Sequence, residues 1–414
     1  MTTAERQRSA QELIRPQLPA ELTEKRAGCP FDPAGALTEL SGQGGIHRIE
    51  HKGEIIWLVT GHEEARAVLA DPRMSADRIN SPRARALISP ELHAEMFPPE
   101  RRAGSFVFMD APEHTRYRKL LTGQFTVRRM RDLTPRIHEI VTMQLDAMIE
   151  KGPPADLVRD FALPVPSLVI CELLGVDYGD REEFQQRTAK LLSLTTTVDE
   201  QIKNTTEQRL FMRSLVREKQ LNPGDDLLSG LVNDTDLDTE ELTGIANLLL
   251  VAGHETTANM LALGTFALLE HPKEFTKLRE HPELAENAVE ELLRYLSIIS
   301  MGVSRHAKED VTIGEVTIRA DESVVVSVPA VNRDETEYAD PHALLVDRPR
   351  GHHVAFGHGI HQCLGQQLAR VEMAVGFTEL LRRLPTLKLA VPADEVPLRT
   401  DMSIYGVHAL PVTW

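Results

Sequence analysis

The chain has 414 residues, and 46 Lys and Arg against 62 Asp and Glu give a net charge of −16, which argues against nucleic acid as its partner while allowing a local basic patch. A hydrophobic content of 42% with 26% charged residues is that of a globular protein, and no run approaches the roughly twenty apolar residues of a membrane span, so no membrane partner is expected. Charged residues throughout the first thirty positions, from Arg6 to Arg26, speak against a signal peptide or anchor, and three dispersed thiols, Cys29, Cys171 and Cys363, suit a reducing interior, so the cytoplasm is the expected compartment.

Residues 46–59 predict two strands about a Lys52-Gly53 turn, and residues 61–69 a short helix closed by Asp71-Pro72. Residues 81–106 contain Pro82, Pro90, Pro98 and Pro99 and predict a long loop with short helices, a length that in compact domains usually serves function. Asp110 and Glu113 stand at capping-box spacing and predict a helix start. From residue 111 to about 388 most segments carry helical periodicity, interrupted by a strand-like insertion at 311–328 and a proline-rich meander at 332–349. The tail beyond residue 387 is extended again. No fixed-period repeat and no Gly/Ser linker divides the chain, so a single domain over residues 1–414, mainly α with a smaller β part, is expected.

The best-signalled helix starts at the capping-box-like Asp238-Thr239-Glu240-Glu241 and stays apolar from 242 to 269, until His271-Pro272. About thirty residues give it roughly 45 Å, enough to cross the molecule, and its apolar faces predict a central, buried position. Its polar middle, Gly253-His254-Glu255-Thr256-Thr257, therefore needs a reason. A glycine and two threonines whose hydroxyls can bond carbonyls four residues back would loosen such a helix and open a groove. Farther on, Glu291 and Arg294 lie three apart on one helical face. Near the C-terminus, Phe356-Gly357-His358-Gly359-Ile360-His361-Gln362-Cys363-Leu364-Gly365 wraps glycines about a single thiol and runs into a helix-forming stretch. The amides and dipole of a helix start favour a thiolate, which makes Cys363 a metal ligand or a nucleophile.

The pattern Phe-x-x-Gly-x-x-x-Cys-x-Gly resembles the haem-ligand loop of the cytochromes P-450, in which a Cys thiolate binds the iron. The segment from Ala252 to Thr257 is similar to that family's distal helix, and the motifs keep the family order from Asp110 to Gly365, closest to the soluble bacterial type. The resemblance implies haem b between the long distal helix and the helix after the Cys loop, with Cys363 as axial ligand. It assigns proton delivery to Thr256 with Glu255 as relay, since splitting O2 requires two protons at its outer oxygen. Haem propionates need cationic or hydrogen-bonding partners, and His114, Arg118, Arg305, His353 and His361 match such positions. A structural network of Glu291, Arg294 and a meander arginine is also implied, with Arg348 chosen and Arg350 close behind. The meander departs from the family pattern at Leu344 and Leu345, which puts that third member in doubt.

By the same resemblance the enzyme is a monooxygenase that inserts one atom of O2 into a hydrophobic small-molecule substrate. Leu248, Val251, Ala252, Ile299 and Ile404 are among the implied pocket residues. No Gly-x-Gly-x-x-Gly opens a helix and no flavin module is present, so electrons are expected from a ferredoxin and its ferredoxin reductase. Arg116, Lys119, Arg128 and Arg129 are candidates for its docking face. The competing readings are a peroxide-driven haem-thiolate enzyme, a haem-thiolate sensor or carrier, and an all-helical protein without haem.

Overall fold

In a computed structural model, which describes residues 18–24 and 29–414, the hairpin forms where its turn chemistry places it. Strands β1 (Ile46–His51) and β2 (Glu54–Val59) pair antiparallel about Lys52 and Gly53, both at positive φ. Helix α1 (His62–Ala70) follows, then strand β3 (Met74–Ser75). The proline-rich segment holds three short helices, each starting at a proline, and Ser81 and Ser89 cap the first two through their hydroxyls.

Helix α2 (Glu113–Thr122) starts near the predicted point but without the predicted capping box. The Asp110 carboxylate is drawn away to the Ala76 amide at 2.9 Å, which ties the segment after β3 to the start of α2. Helices α3 (Val127–Lys151), α4 (Pro164–Leu174), α5 (Arg181–Leu192) and α6 (Val198–Leu221) lead to the long helix α7 (Thr239–Glu270). Its capping box forms in full: Asp238 accepts from the Glu241 amide and the Glu241 side chain accepts from the Asp238 amide. Twenty-one of its 32 residues are buried, because α4, α6, α8 (Ala285–Leu296) and α9 (Gln366–Arg383) all pack against it.

The strand-like insertion at 311–328 resolves into a two-stranded hairpin and β5 (Ser323–Val326); β4 (Val303–Ala307), just before it and not expected, joins β5 to complete a five-stranded sheet in the order β1-β2-β5-β4-β3. The helical core is one contiguous cluster from Phe31 to Val412, with a smaller cluster beneath the sheet. Among the described residues no helix is long and apolar enough to cross a membrane. What positions the site is that the Cys363 loop and the start of α9 together face the central helix α7 across a cavity.

Candidate active site

The Cys loop is held by its own backbone. The Cys363 amide donates to the Phe356 carbonyl at 2.8 Å and that of Gln362 to Gly359 at 3.1 Å. Gly357 and Gly359 stand at φ of 69° and 72°, where a side chain would be strained. At Gly359 space also forbids one, since a Cβ would lie 2.4 Å from the Leu69 carbonyl oxygen at the end of α1. Burial pushes the Cys363 thiol above its ordinary value, while a hydrogen bond from the Gly365 backbone and the charges of Arg118 and Arg370 draw it down. The helix start thus acts as expected but does not outweigh burial, and a metal cation at the sulfur would make the thiolate the stable form.

Across from the sulfur lies a cavity of about 390 Å³. Leu248, Ala252, Gly253, Thr256, Thr257 and Met260 of α7 form one wall, and Cys363, Leu364, Gly365 and Leu368 the other. The Thr256 hydroxyl donates to the Ala252 carbonyl at 2.9 Å, the four-residue back-bond that the sequence implies. Gly253 is closely packed too, since a Cβ there would meet the Ile170 side chain at 2.9 Å and displace it.

At the rim His114, Arg118, Arg305 and His361 converge. The His114 and His361 rings stand 4.1 Å apart between centroids, and both His114 nitrogens and Nε2 of His361 are buried without a hydrogen-bond partner among the described residues. Burial and then the neighbouring charges push His361 down to about 3, and burial pushes Arg305 down to about 10. Among the described residues Arg305 donates only to the carbonyl of Ser304, at 2.9 Å. Unpartnered buried imidazole nitrogens beside two arginines, around a cavity opposite a thiol, fit a group that brings its own carboxylates. A porphyrin bearing two propionates is such a group.

The other expected residues are placed differently. His353 is not on the cavity wall; its Nε2 lies 3.0 Å from Glu290, which also accepts from Arg370 at 2.6 Å and 3.0 Å. Arg370 in turn stacks on Phe356 at 4.6 Å, so this cluster braces the Cys loop from behind. Glu255 is buried and faces away from the cavity, accepting from Arg399 at 2.9 Å and from Asn259 at 3.3 Å. Of the implied pocket residues Leu248, Ala252 and Ile299 line the cavity, whereas Val251 and Ile404 do not. Phe106, at the end of the expected functional loop, and Thr257, in the polar middle of α7, line it as well, whereas sequence reasoning missed Glu372, which also does. Glu372 is wholly buried, its Oε2 has no partner among the described residues, and burial holds its carboxyl far above the usual range. An acid at mid-helix on a stripe with Leu368 was the available signal.

Glu291 accepts from Arg294 at 2.7 Å and 2.9 Å, from Arg348 at 3.1 Å to each oxygen, and from the Leu345 amide at 2.9 Å. Arg350 goes to Glu286 instead. The Leu344-Leu345 departure does not break the network, since Leu344 joins the core and Leu345 contributes only its backbone.

One pH dependence follows from the brace. Burial alone would raise the Glu290 carboxyl, but His353 and Arg370 outweigh it and hold it at about 2. A depressed carboxyl contributes stability above its unfolded value near 4.5 and loses it as pH falls through about 2. Glu290→Gln should therefore destabilise the protein by up to about 3 kcal/mol at neutral pH. Urea midpoints of the two proteins, far apart at pH 7, should converge as pH falls from 5 toward 2; a constant gap would assign the stabilisation elsewhere.

A family model described as Cytochrome P-450 matches residues 190–406. Pentalenic acid synthase of Streptomyces avermitilis is 46% identical over 392 residues, covering 93% of this chain and 95% of the relative. Vitamin D3 dihydroxylase of Streptomyces griseolus is 43% identical over 396 residues, covering 93% and 95%. Among solved structures, CYP105P1 in complex with filipin I superposes with a TM-score of 0.89 at 40% identity, covering 96% of this chain and 99% of that one.

Proposed function

The chain belongs to the cytochrome P-450 family, and on that premise we propose a specific division of labour within it. The protein is a haem b monooxygenase of the oxidoreductase class. Haem bound in the cavity supplies the activation of O2 and the transfer of one oxygen atom to substrate. In our reading Cys363 would bind its iron through the thiolate, and His114, Arg118, Arg305 and His361 would hold its propionates. The observation that carries this reading is the thiol facing Thr256 across one cavity at whose rim the buried nitrogens of His114 and Nε2 of His361 lack a partner among the described residues.

The net reaction consumes O2, two electrons and two protons for each oxygen atom inserted, and releases one water. Thr256 delivers protons into the cavity from its place on the α7 wall. Glu255 resupplies it from the far face of the helix, for which its carboxylate must turn away from Arg399 and Asn259. The apolar wall around Leu248, Ala252 and Ile299 excludes water and holds a hydrophobic substrate.

Electrons come from a ferredoxin with its reductase, docking on the outer side of the Cys loop. Ile360, 49% exposed within that loop, and the exposed Lys119 and Arg128 support this face. Arg116 contributes less than its charge implies, because Glu241 and Asp236 already engage it. Residues 1–414 work as one domain, in the cytoplasm.

Turnover with ferredoxin, reductase and NAD(P)H, compared with peroxide alone, tests the reading together with Thr256→Ala. The variant should keep the haem spectrum and lose product per electron by a factor of at least about ten, the lost electrons appearing as hydrogen peroxide. Undiminished coupling in the variant would overturn the proton role, and turnover with peroxide alone would overturn the need for a ferredoxin.

A further inference from the structure

Between positions 242 and 268 of α7 six residues escape burial. Leu248, Ala252, Gly253 and Thr256 do so because they line the main cavity, and Asn247 because it lines a second cavity of about 220 Å³. Oδ1 of Asn247 is nonetheless buried, and it has no partner among the described residues. An acceptor kept in that state lowers stability for no structural return, so it points to a donor brought by a ligand.

The second cavity forms where the proline-rich segment crosses α7. Gly104 and Gly244 permit the crossing, because a Cβ on Gly104 would overlap the Glu241 carbonyl oxygen and one on Gly244 that of Ala103. Asn247 follows about one helical turn later, and Gln201, Ile202 and Thr205 of α6 close the far side. The turn Phe106–Phe108 parts the two cavities, with Phe106 and Val107 lining the main one and Phe108 the second. Val107 is 41% exposed while lining the main cavity, so that cavity opens at the partition, and a molecule entering over Val107 lies along both.

The lining selects the donor. Among the described residues no acid lines the second cavity, whereas Arg101, Arg102 and Arg209 do, so an ammonium group is disfavoured. Those arginines are themselves engaged. Arg101 donates to the carbonyls of Met96 and Ile202 and to the Thr206 hydroxyl, at 2.9 Å, 3.0 Å and 2.6 Å. Arg102 reaches Asp77 at 3.6 Å, and Arg209 donates to Glu240 at 2.7 Å. An anion would find few free donors and would set its oxygens against Oδ1 of Asn247. A neutral hydroxyl avoids both conflicts, and Met96, Phe97 and Phe108 surround the carbon that bears it.

We propose that Asn247 accepts a hydrogen bond from a hydroxyl group of the substrate, so that the molecule oxidised here is a neutral, apolar alcohol reaching from the main cavity past Phe108 into the second. This rests on the monooxygenase reading and names the substrate class for it. Asn247 and Thr256 are about 13 Å apart along α7 at roughly 1.5 Å per residue, so the hydroxyl lies on the order of that distance from the carbon that is oxidised.

Isothermal titration calorimetry on the haem-loaded protein tests this without turnover, using two matched pairs, epiandrosterone with its methyl ether and dodecanol with methoxydodecane. The ether keeps the oxygen and loses the donor. The wild type should bind at least one alcohol about threefold or more tightly than its ether, and Asn247→Leu should erase that preference by weakening the alcohol. The urea midpoint of the variant without added ligand should stay level or rise, because no internal hydrogen bond is lost. A preference below about threefold in both pairs, no measurable binding of either alcohol, a preference that survives Asn247→Leu, or a lowered midpoint would overturn the proposal. A thiolate-haem spectrum in the same samples separates such a failure from failure of the monooxygenase reading.

Discussion

Glu291→Ala should cost the protein about 3–5 kcal/mol, a large fraction of the stability of an ordinary domain. Glu291 and Arg294 each expose only 2% of their side chains, so neither can exchange its partner for water. Removing the carboxylate leaves Nε of Arg294 without its acceptor and takes from Arg348 the contact that reaches into the core. It also orphans the Leu345 amide, which holds the meander against α8. The remaining bonds of Arg294 to the carbonyls of Asn332, Pro341 and Ala343 satisfy its other nitrogens but leave its charge uncompensated. A buried ion pair adds little over an apolar replacement, yet breaking one is costly for this reason. Glu291→Gln keeps an acceptor oxygen and should lose less. Arg350→Ala is the control, since its pair with Glu286 has side chains 55% and 77% exposed, and it should cost less than about 0.5 kcal/mol. Urea midpoints measure all three; a Glu291→Ala loss no larger than that of Arg350→Ala would show that the network does not hold the meander.

What was legible in the sequence were features whose physics is local. The hairpin at Lys52-Gly53, the capped start of α7 at Asp238 and the glycine turns before Cys363 each depend on residues a few positions apart. Choices among distant partners were not legible. Thr256 and Glu255 are neighbours in the chain, but successive helical residues point about 100° apart. Thr256 shares the cavity face with Ala252 and Met260, whereas Glu255 turns toward Arg399, 144 positions away. The same limitation separates two histidines of similar promise. His361 is carried into the cavity by the turn after Gly359, while His353, still in the extended approach, meets Glu290 first. At Asp110 a long-range amide, that of Ala76, outcompetes the local cap. The Glu291 network was predicted in kind, and its third member had two candidates two residues apart; only the packed meander distinguishes Arg348 from Arg350.

Cys363→Ser should abolish the thiolate-haem signature while leaving the fold in place. The substitution is nearly isosteric, the loop is fixed by backbone bonds at Phe356 and Gly359 instead of by the sulfur, and Cys363 lies on a cavity wall, so packing changes little. A serine hydroxyl, far less acidic than a thiol and a harder donor, does not replace the thiolate that pushes electron density onto iron. Monooxygenation should fall with it, and any residual haem should report a different axial ligand. The direct measurement is the absorption spectrum of the purified protein reduced under carbon monoxide. The wild type should show the strongly red-shifted Soret band of thiolate-ligated haem and Cys363→Ser should lack it. A wild-type band typical of histidine ligation, or a red-shifted band that survives in Cys363→Ser, would contradict the assignment of Cys363 as the ligand.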